Sequence, residues 1–107
     1  MNYFSKVFKD DNKNVALVEV KSRLPLGELS KGIFGYVAIY DCVGNLLQKD
    51  IPVYQANSPT RYGFTWNARN LNHKYVYQGV YLALVKVQDL DNIEHIFRVK
   101  IGIKADK

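Results

Sequence analysis

The fold is decided by two neighbouring stretches, FTWNARN (residues 64–70) and VYQGVYLALVKV (residues 76–87). Just before and within the first, Tyr62, Phe64 and Trp66 occupy every second position. Side chains alternate between the two faces of a strand, so this pattern predicts a strand that buries three aromatic rings together. In the second stretch the odd positions from 81 to 87 and the even positions 80, 82 and 84 are all apolar. Such a strand is typically covered on both faces.

The rest of the chain has the same two-residue period, broken by turn residues. It predicts strands over residues 2–8, 15–22, 33–41, 46–48 and 93–103, with turns at 43–45 and 88–92. Pro52 and Pro59 mark residues 51–60 as an edge segment or a crossing loop. We therefore expect one all-β domain over residues 1–107, an antiparallel sandwich of about seven strands, with a small barrel as the alternative. The predicted inward positions are Val37, Ile39, Phe64, Trp66, Tyr81, Val85, Val99 and Ile101.

Charge and hydropathy narrow the class of protein. The net charge is +5, but the basic residues are spread from Lys6 to Lys107 without a cluster, which argues against nucleic-acid binding. No apolar run approaches the ~18 residues that span a bilayer, and residues 1–14 do not resemble a signal peptide. The chain is therefore expected to be cytoplasmic, or a domain taken from a longer exported protein.

The residues that could carry chemistry are few and scattered. Cys42, His73 and His95 are far apart in sequence and show no metal-ligand spacing. Most aspartates, Asp89 and Asp91 among them, fall in predicted turns, where solvated caps explain them. There is no glycine loop for a phosphate. We predict no catalytic residue, no metal site and no cofactor, and hence a protein that is not an enzyme.

Several motifs are similar to those of a known family. Trp66-Asn67-Ala68-Arg69-Asn70, followed by Val76 and Gly79-Val80-Tyr81, resembles the signature W-D-G-x-D … V-x-x-G-x-Y. That signature is typical of the immunoglobulin-like domain of bacterial flagellar hook-capping proteins and of related C-terminal sorting or anchoring domains of secreted bacterial proteins. The segment VAIYD … GNLL (residues 37–47) resembles the family's preceding hairpin, and residues 97–104 resemble its last strand. The resemblance covers residues 33–104.

The resemblance implies an immunoglobulin-like sandwich and a structural role as a spacer, docking or secretion-targeting module outside the cytoplasm. Asn67 and Asn70 stand where the family usually has Asp, Ala68 where it has Gly, and His73 where a loop Gly is common. The P-N-P box found in surface-anchored members is absent. The expected partner is another protein or a neighbouring domain of the same chain.

Four residues are the candidate partner-binding positions. Leu82 and Leu84 continue an apolar stripe opposite the core face, which residues 51–59 would cover or a partner would contact. Unpaired strand edges at residues 3–8 or 93–103 would offer strand addition. The alternative function is carbohydrate binding, with Tyr75 and Tyr77 as a stacking platform for a polysaccharide.

Overall fold

The computed structural model describes residues 16–21, 25–56 and 61–103. They form six strands: β1 (Ala16–Lys21), β2 (Ile33–Tyr40), β3 (Leu46–Gln55), β4 (Arg61–Trp66), β5 (Gly79–Gln88) and β6 (Glu94–Ile103). All pairings are antiparallel, and they join the strands into one sheet in the order β1-β4-β3-β2-β5-β6. Among these residues there is no helix that is long and apolar enough to cross a membrane.

The sheet curls into a half-barrel around its own core. β4 and β5 are separated in the sheet by two strands, yet the rings of Trp66 and Tyr81 meet edge to face, with centroids 5.5 Å apart. The segment before β2 joins the same two strands. The amide of Leu26 donates to the Tyr62 hydroxyl on β4, while Leu26 also bridges Asp89 at the end of β5. The curl therefore brings distant strands together over one buried face.

The core is the inward face that the two-residue period predicts. All eight predicted inward residues are buried, and they belong to one hydrophobic cluster, which confirms that prediction. Trp66, Tyr62 and Phe64 are its largest fully buried side chains and lie on β4. The clearest alternation is in β5, where every odd position from Tyr81 to Val87 is buried.

The prediction that residues 51–60 form an edge segment or crossing loop is wrong for residues 51–55. These residues continue β3, which lies inside the sheet between β4 and β2. Two features allow the strand to pass through Pro52. The register shifts between Val37 and Ile39, opposite Asp50, whose φ of 57° marks a bulge. Pro52 itself pairs with β2 in a part of β3 for which β4 offers no partner, so its missing N–H costs no ladder bond on that side.

The all-β, antiparallel character of the chain is confirmed. The described residues form six strands in one curled sheet, close to half of the small barrel that was the alternative. The sandwich of about seven strands stays a prediction. Strand β1 agrees with the predicted strand 15–22. The strand predicted over residues 2–8 lies outside the described residues.

Candidate functional site

The convex side of the sheet carries the residues that β2, β5 and β6 turn away from the core. The register places Tyr36 beside Lys86 and Ile96, Ala38 beside Leu84 and Arg98, and Tyr40 beside Leu82 and Lys100. We call these nine residues the outer face. Its β2 side is aromatic and apolar, and its cations are Lys86 on β5 and Arg98 and Lys100 on β6. This composition differs from that of the hydrophobic cluster behind it.

A groove of about 360 Å³ runs across the outer face. Its floor is Ala38 and Leu84, because alanine is the one small side chain between the rings of Tyr36 and Tyr40. The Lys49–Asp50 bulge of β3 lines one end, and Lys86 and Ile96 line the other. The additional residue at the bulge turns a lysine and an aspartate toward the groove, which a regular strand would not do together.

Charge around the groove is predominantly positive. Lys49 and Lys86 line it, and Arg98 and Lys100 follow on β6, whereas the carboxylates on this side are Asp50 and, at the start of β6, Glu94. Among the residues that the structure describes, no carboxylate forms an ion pair with these four cations. The arrangement can therefore bind an anionic group beside an apolar one without first breaking an internal salt bridge.

The two leucines predicted as partner-binding residues lie on this face. Leu82 and Leu84 are half-buried, and Val80, which continues the stripe, is 60% exposed. The idea that residues 51–59 cover the stripe is wrong for residues 51–55, since they are part of β3; residues 57–59 lie outside the described part of the chain. The neighbouring side chains of β2 and β6 flank the leucines instead.

The loop between β4 and β5 is held by the residues of the tryptophan motif. The indole Nε1 of Trp66 donates to the carbonyl of Arg69 at 3.0 Å, and the amide of Arg69 donates to Oδ1 of Asn67 at 3.1 Å. Oδ1 of Asn70 accepts the amides of Asn72 and Lys74. The motif thus builds a small hairpin, closed by a bridge between Arg69 and Tyr75.

The departures from the family signature fit this geometry. The side-chain oxygens of Asn67 and Asn70 accept backbone amides, which an aspartate at either position would also do. Ala68 has φ of 60° and His73 has φ of 63°, the left-handed conformation that glycine adopts most readily. The positions at which the signature has Asp or Gly are therefore those at which the loop needs an acceptor or a positive φ.

Tyr75 and Tyr77 point outward from this loop, on the side opposite Val76, which packs against the core. Tyr77 is 89% exposed, whereas Tyr75 is 48% exposed because the Arg69 guanidinium covers one face of its ring at 3.9 Å. Arg69 is itself fixed by donating to the carbonyl of His73 at 2.7 Å. The structure therefore divides the four predicted residues into a tyrosine pair on the loop and a leucine pair on the sheet.

One buried carboxylate, that of Asp89, was not predicted from the sequence. Asp89 was expected to be a solvated turn cap, but it is buried and accepts the amides of Asp91 and Ile93 and a hydrogen bond to His95 Nε2 at 2.9 Å. The hydrogen bond from His95, followed by that from Ile93, lowers the pKa of Asp89 below its usual value. The sequence does contain a signal for this burial. The odd positions of β5 and β6 face the core, and positions 89 and 95 are the odd positions just beyond the buried part of each strand.

The three candidate catalytic or metal-binding residues occupy different places. Cys42 is exposed in the β2–β3 turn, just after Tyr40, which pairs with Leu82. His95 pairs with Val87, five residues farther along β5, or ~17 Å at the usual rise of a strand. His73 is exposed in the β4–β5 loop. No group of three metal-binding side chains exists among the described residues.

The β2–β3 turn is as the sequence predicts. Oδ1 of Asp41 accepts the amides of Val43 and Asn45, and Gly44 takes φ of 92°. These bonds, of which the one from the Asn45 amide is the largest cause, lower the pKa of Asp41.

Tyr81 connects β5 to the loop that precedes it, because its hydroxyl donates to the carbonyl of Tyr77. Burial, and then the negative charge of Asp41, raise the pKa of Tyr81. The loop that carries Tyr75 and Tyr77 is thus held against the start of β5.

No family model and no curated protein matches the sequence. Among solved structures, the chain is similar to the crystal structure of CopC from Methylosinus trichosporium OB3b, with a TM-score of 0.56 and 13% sequence identity. The similarity covers 96% of this chain and 94% of that one. At this identity it shows that the two chains share a β fold, and nothing about shared ligands follows from it.

Proposed function

We propose that the chain is a non-catalytic docking module of an extracytoplasmic bacterial protein, with the outer face as its contact surface. The observation that supports this most is the groove floored by Ala38 and Leu84, with aromatic walls and with cations at its rim that no described carboxylate pairs with. Interfaces combine a desolvated apolar centre with aromatic and arginine side chains, and they differ from the rest of a surface in this way. The partner is a protein segment that carries apolar and acidic side chains.

The wider identity of the module is part of the same proposal. The loop geometry around Trp66, Asn67 and Asn70 supports the resemblance to the immunoglobulin-like domains of hook-capping and sorting proteins. On this proposal the curled sheet is a variant of that sandwich, and the module spaces, targets or assembles an exported protein. The role needs no cofactor and no reacting group.

Carbohydrate binding is the second candidate, favoured by the exposure of Tyr77 and by the fixed ring of Tyr75. A sugar ring stacks on an aromatic face that is exposed and held in place. The Arg69 guanidinium occupies one face of Tyr75, which leaves the other face for a ligand. This candidate uses the loop and leaves the outer face without a role.

One titration experiment separates the two candidates. The purified domain is titrated with a panel of peptides graded in charge and hydrophobicity and with a panel of glycans. We expect saturable binding of the acidic, apolar peptides, weakened about tenfold or more by Leu84→Asp, which places a negative charge on the groove floor. The double variant Tyr75→Ala/Tyr77→Ala should bind these peptides like the wild type.

The opposite pattern contradicts the docking proposal. Glycan binding that is lost in the tyrosine double variant, with no peptide binding, would replace it by the carbohydrate function. Peptide binding that is unchanged by Leu84→Asp would show that the outer face is not the contact surface. Circular dichroism of each variant establishes that the altered side chain, and not unfolding, is responsible.

A further inference from the structure

β6 forms one edge of the sheet. In the described part of the chain it pairs with β5 at ten successive positions, from Glu94 to Ile103, and with no other strand. In an antiparallel ladder alternate residues direct their N–H and C=O groups toward the neighbouring strand, so half of those of β6 point away from β5. A regular edge of ten residues is long enough to template another strand.

The two sides of β6 differ in what they offer to such a strand. Its inward residues Phe97, Val99 and Ile101 are already buried within the domain. Its outward residues Ile96, Arg98 and Lys100 are exposed and belong to the outer face. A strand added at this edge would widen the outer face by one row, and its outward side chains would lie beside one apolar and two cationic residues.

Charge indicates which strand fits. If β6 paired with β6 of a second copy in an antiparallel arrangement, Arg98 and Lys100 of the two copies would approach one another, and like charges on adjacent strands are unfavourable. Acidic side chains at alternate positions would instead meet these cations, which have no ion-pair partner among the described residues. Lysine and arginine on an edge also discourage self-association while admitting a complementary strand.

We propose that β6 binds an extended segment of a partner protein as a seventh strand of the sheet. The segment carries two acidic side chains at alternate positions, beside Arg98 and Lys100, and an apolar side chain beside Ile96. This inference rests on the docking function proposed above and gives the partner its chemistry and its conformation. Backbone hydrogen bonds supply the affinity, and the charge pairs fix the register.

The test uses a synthetic peptide of about eight residues, labelled for fluorescence anisotropy. One valine and two glutamates occupy three successive alternate positions of the peptide, to match Ile96, Arg98 and Lys100, and threonine fills the positions between them. Three relatives accompany it: a peptide of the same composition without the alternation, one with lysine in place of glutamate, and one that is N-methylated on the alternate amides that face β6 in the proposed register. We expect saturable binding of the first peptide alone. Amides of residues 94–103 that exchange freely in the domain should become protected from hydrogen exchange in the complex.

Variants of the domain test the charge pairing. Arg98→Glu/Lys100→Glu should weaken binding of the alternating peptide about tenfold or more and should bind the lysine peptide better than the wild type does. Lys31→Glu/Lys74→Glu, an equal change of net charge at two exposed loop positions, should bind like the wild type. Equal effects of the two double variants would overturn the register that we propose.

The outcomes of these experiments distinguish strand addition from the docking function on which the inference rests. If the N-methylated peptide binds as well as its parent, strand addition is overturned, while a charge-based docking surface stands. If the alternating peptide does not bind but other acidic, apolar peptides bind and respond to Leu84→Asp, the strand is again overturned and the docking function stands. If no acidic peptide binds at all, both are overturned.

Discussion

His73 adopts a backbone conformation that suits glycine better than histidine. Its φ of 63° lies in the left-handed region, its side chain is exposed, and its role in the loop is through its backbone, which donates to Asn70 and accepts from Arg69. The conformation costs a non-glycine residue ~1–2 kcal/mol, partly offset by the greater freedom of glycine in the unfolded chain. We expect His73→Gly to raise the free energy of unfolding by about 0.5–1 kcal/mol, measured by urea titration.

The neighbouring residue provides the control. Lys74 is also exposed, but it is not among the described residues with positive φ. Lys74→Gly should therefore lower the free energy of unfolding by about 0.5–1 kcal/mol, the entropic cost of glycine alone. If both glycine variants destabilise the domain equally, the left-handed geometry at His73 has no energetic consequence.

At the scale of the element, single strands were predictable and their partners were not. The alternation of β4, β5 and β6 is visible in the sequence because one face of each is buried. The continuity of β3 was not visible, since a bulge at Asp50 changes the parity just before Pro52. The outer face could not be predicted for another reason. Its three rows of side chains become neighbours through the register of β2, β5 and β6, and the periodicity of a sequence does not determine that register.

The same register explains why β2 contains a glycine. A Cβ built at Gly35 would lie 2.4 Å from the carbonyl oxygen of Lys86 and 2.7 Å from Cγ1 of Val87, so β2 and β5 approach too closely there for any side chain. We expect Gly35→Ala to lower the free energy of unfolding by about 1–3 kcal/mol, because the two strands must separate. Chemical denaturation measures this change.

Gly102 on β6 is the matched control for that strand contact. It is also a strand glycine, but no described residue places an atom within 4 Å of its built Cβ. Gly102→Ala should leave the free energy of unfolding unchanged or raise it by a few tenths of a kcal/mol, because alanine loses less conformational freedom on folding. A Gly35→Ala domain as stable as the wild type would show that β2 and β5 can move apart freely.

At the scale of the whole molecule, the curl of the sheet is closed where the segment before β2 meets the end of β5. Asp89 lies at this closure: its backbone bridges Leu26, the amide of Gly27 donates to the preceding carbonyl of Gln88, and its carboxylate bonds His95. Tyr62 reaches the same point from β4 through its bond with the Leu26 amide. The ionised carboxylate of Asp89 accepts from Asp91, Ile93 and His95, and it thereby holds the β5–β6 turn. The backbone at the start of that turn forms the junction with Leu26 and Gly27.

The stability of the domain should accordingly depend on pH in the acid range. The pKa of Asp89 in the folded state is lowered, chiefly by the hydrogen bond from His95, relative to ~3.9 in an unfolded chain. Its contribution is thus complete above the unfolded pKa and is lost as the pH falls through the folded pKa. We expect the Tm to be insensitive to Asp89 between pH 7 and about 5 and to drop below about 4.

In Asp89→Asn the Tm should already be lower at pH 7 and should fall less in acid. Part of the fall should remain, because the pKa of Asp41 is lowered too. Asp91→Asn, an exposed change in the same turn, should follow the wild-type curve. Parallel curves for the wild type and Asp89→Asn from pH 7 to pH 2.5 would show that protonation of Asp89 does not open the closure.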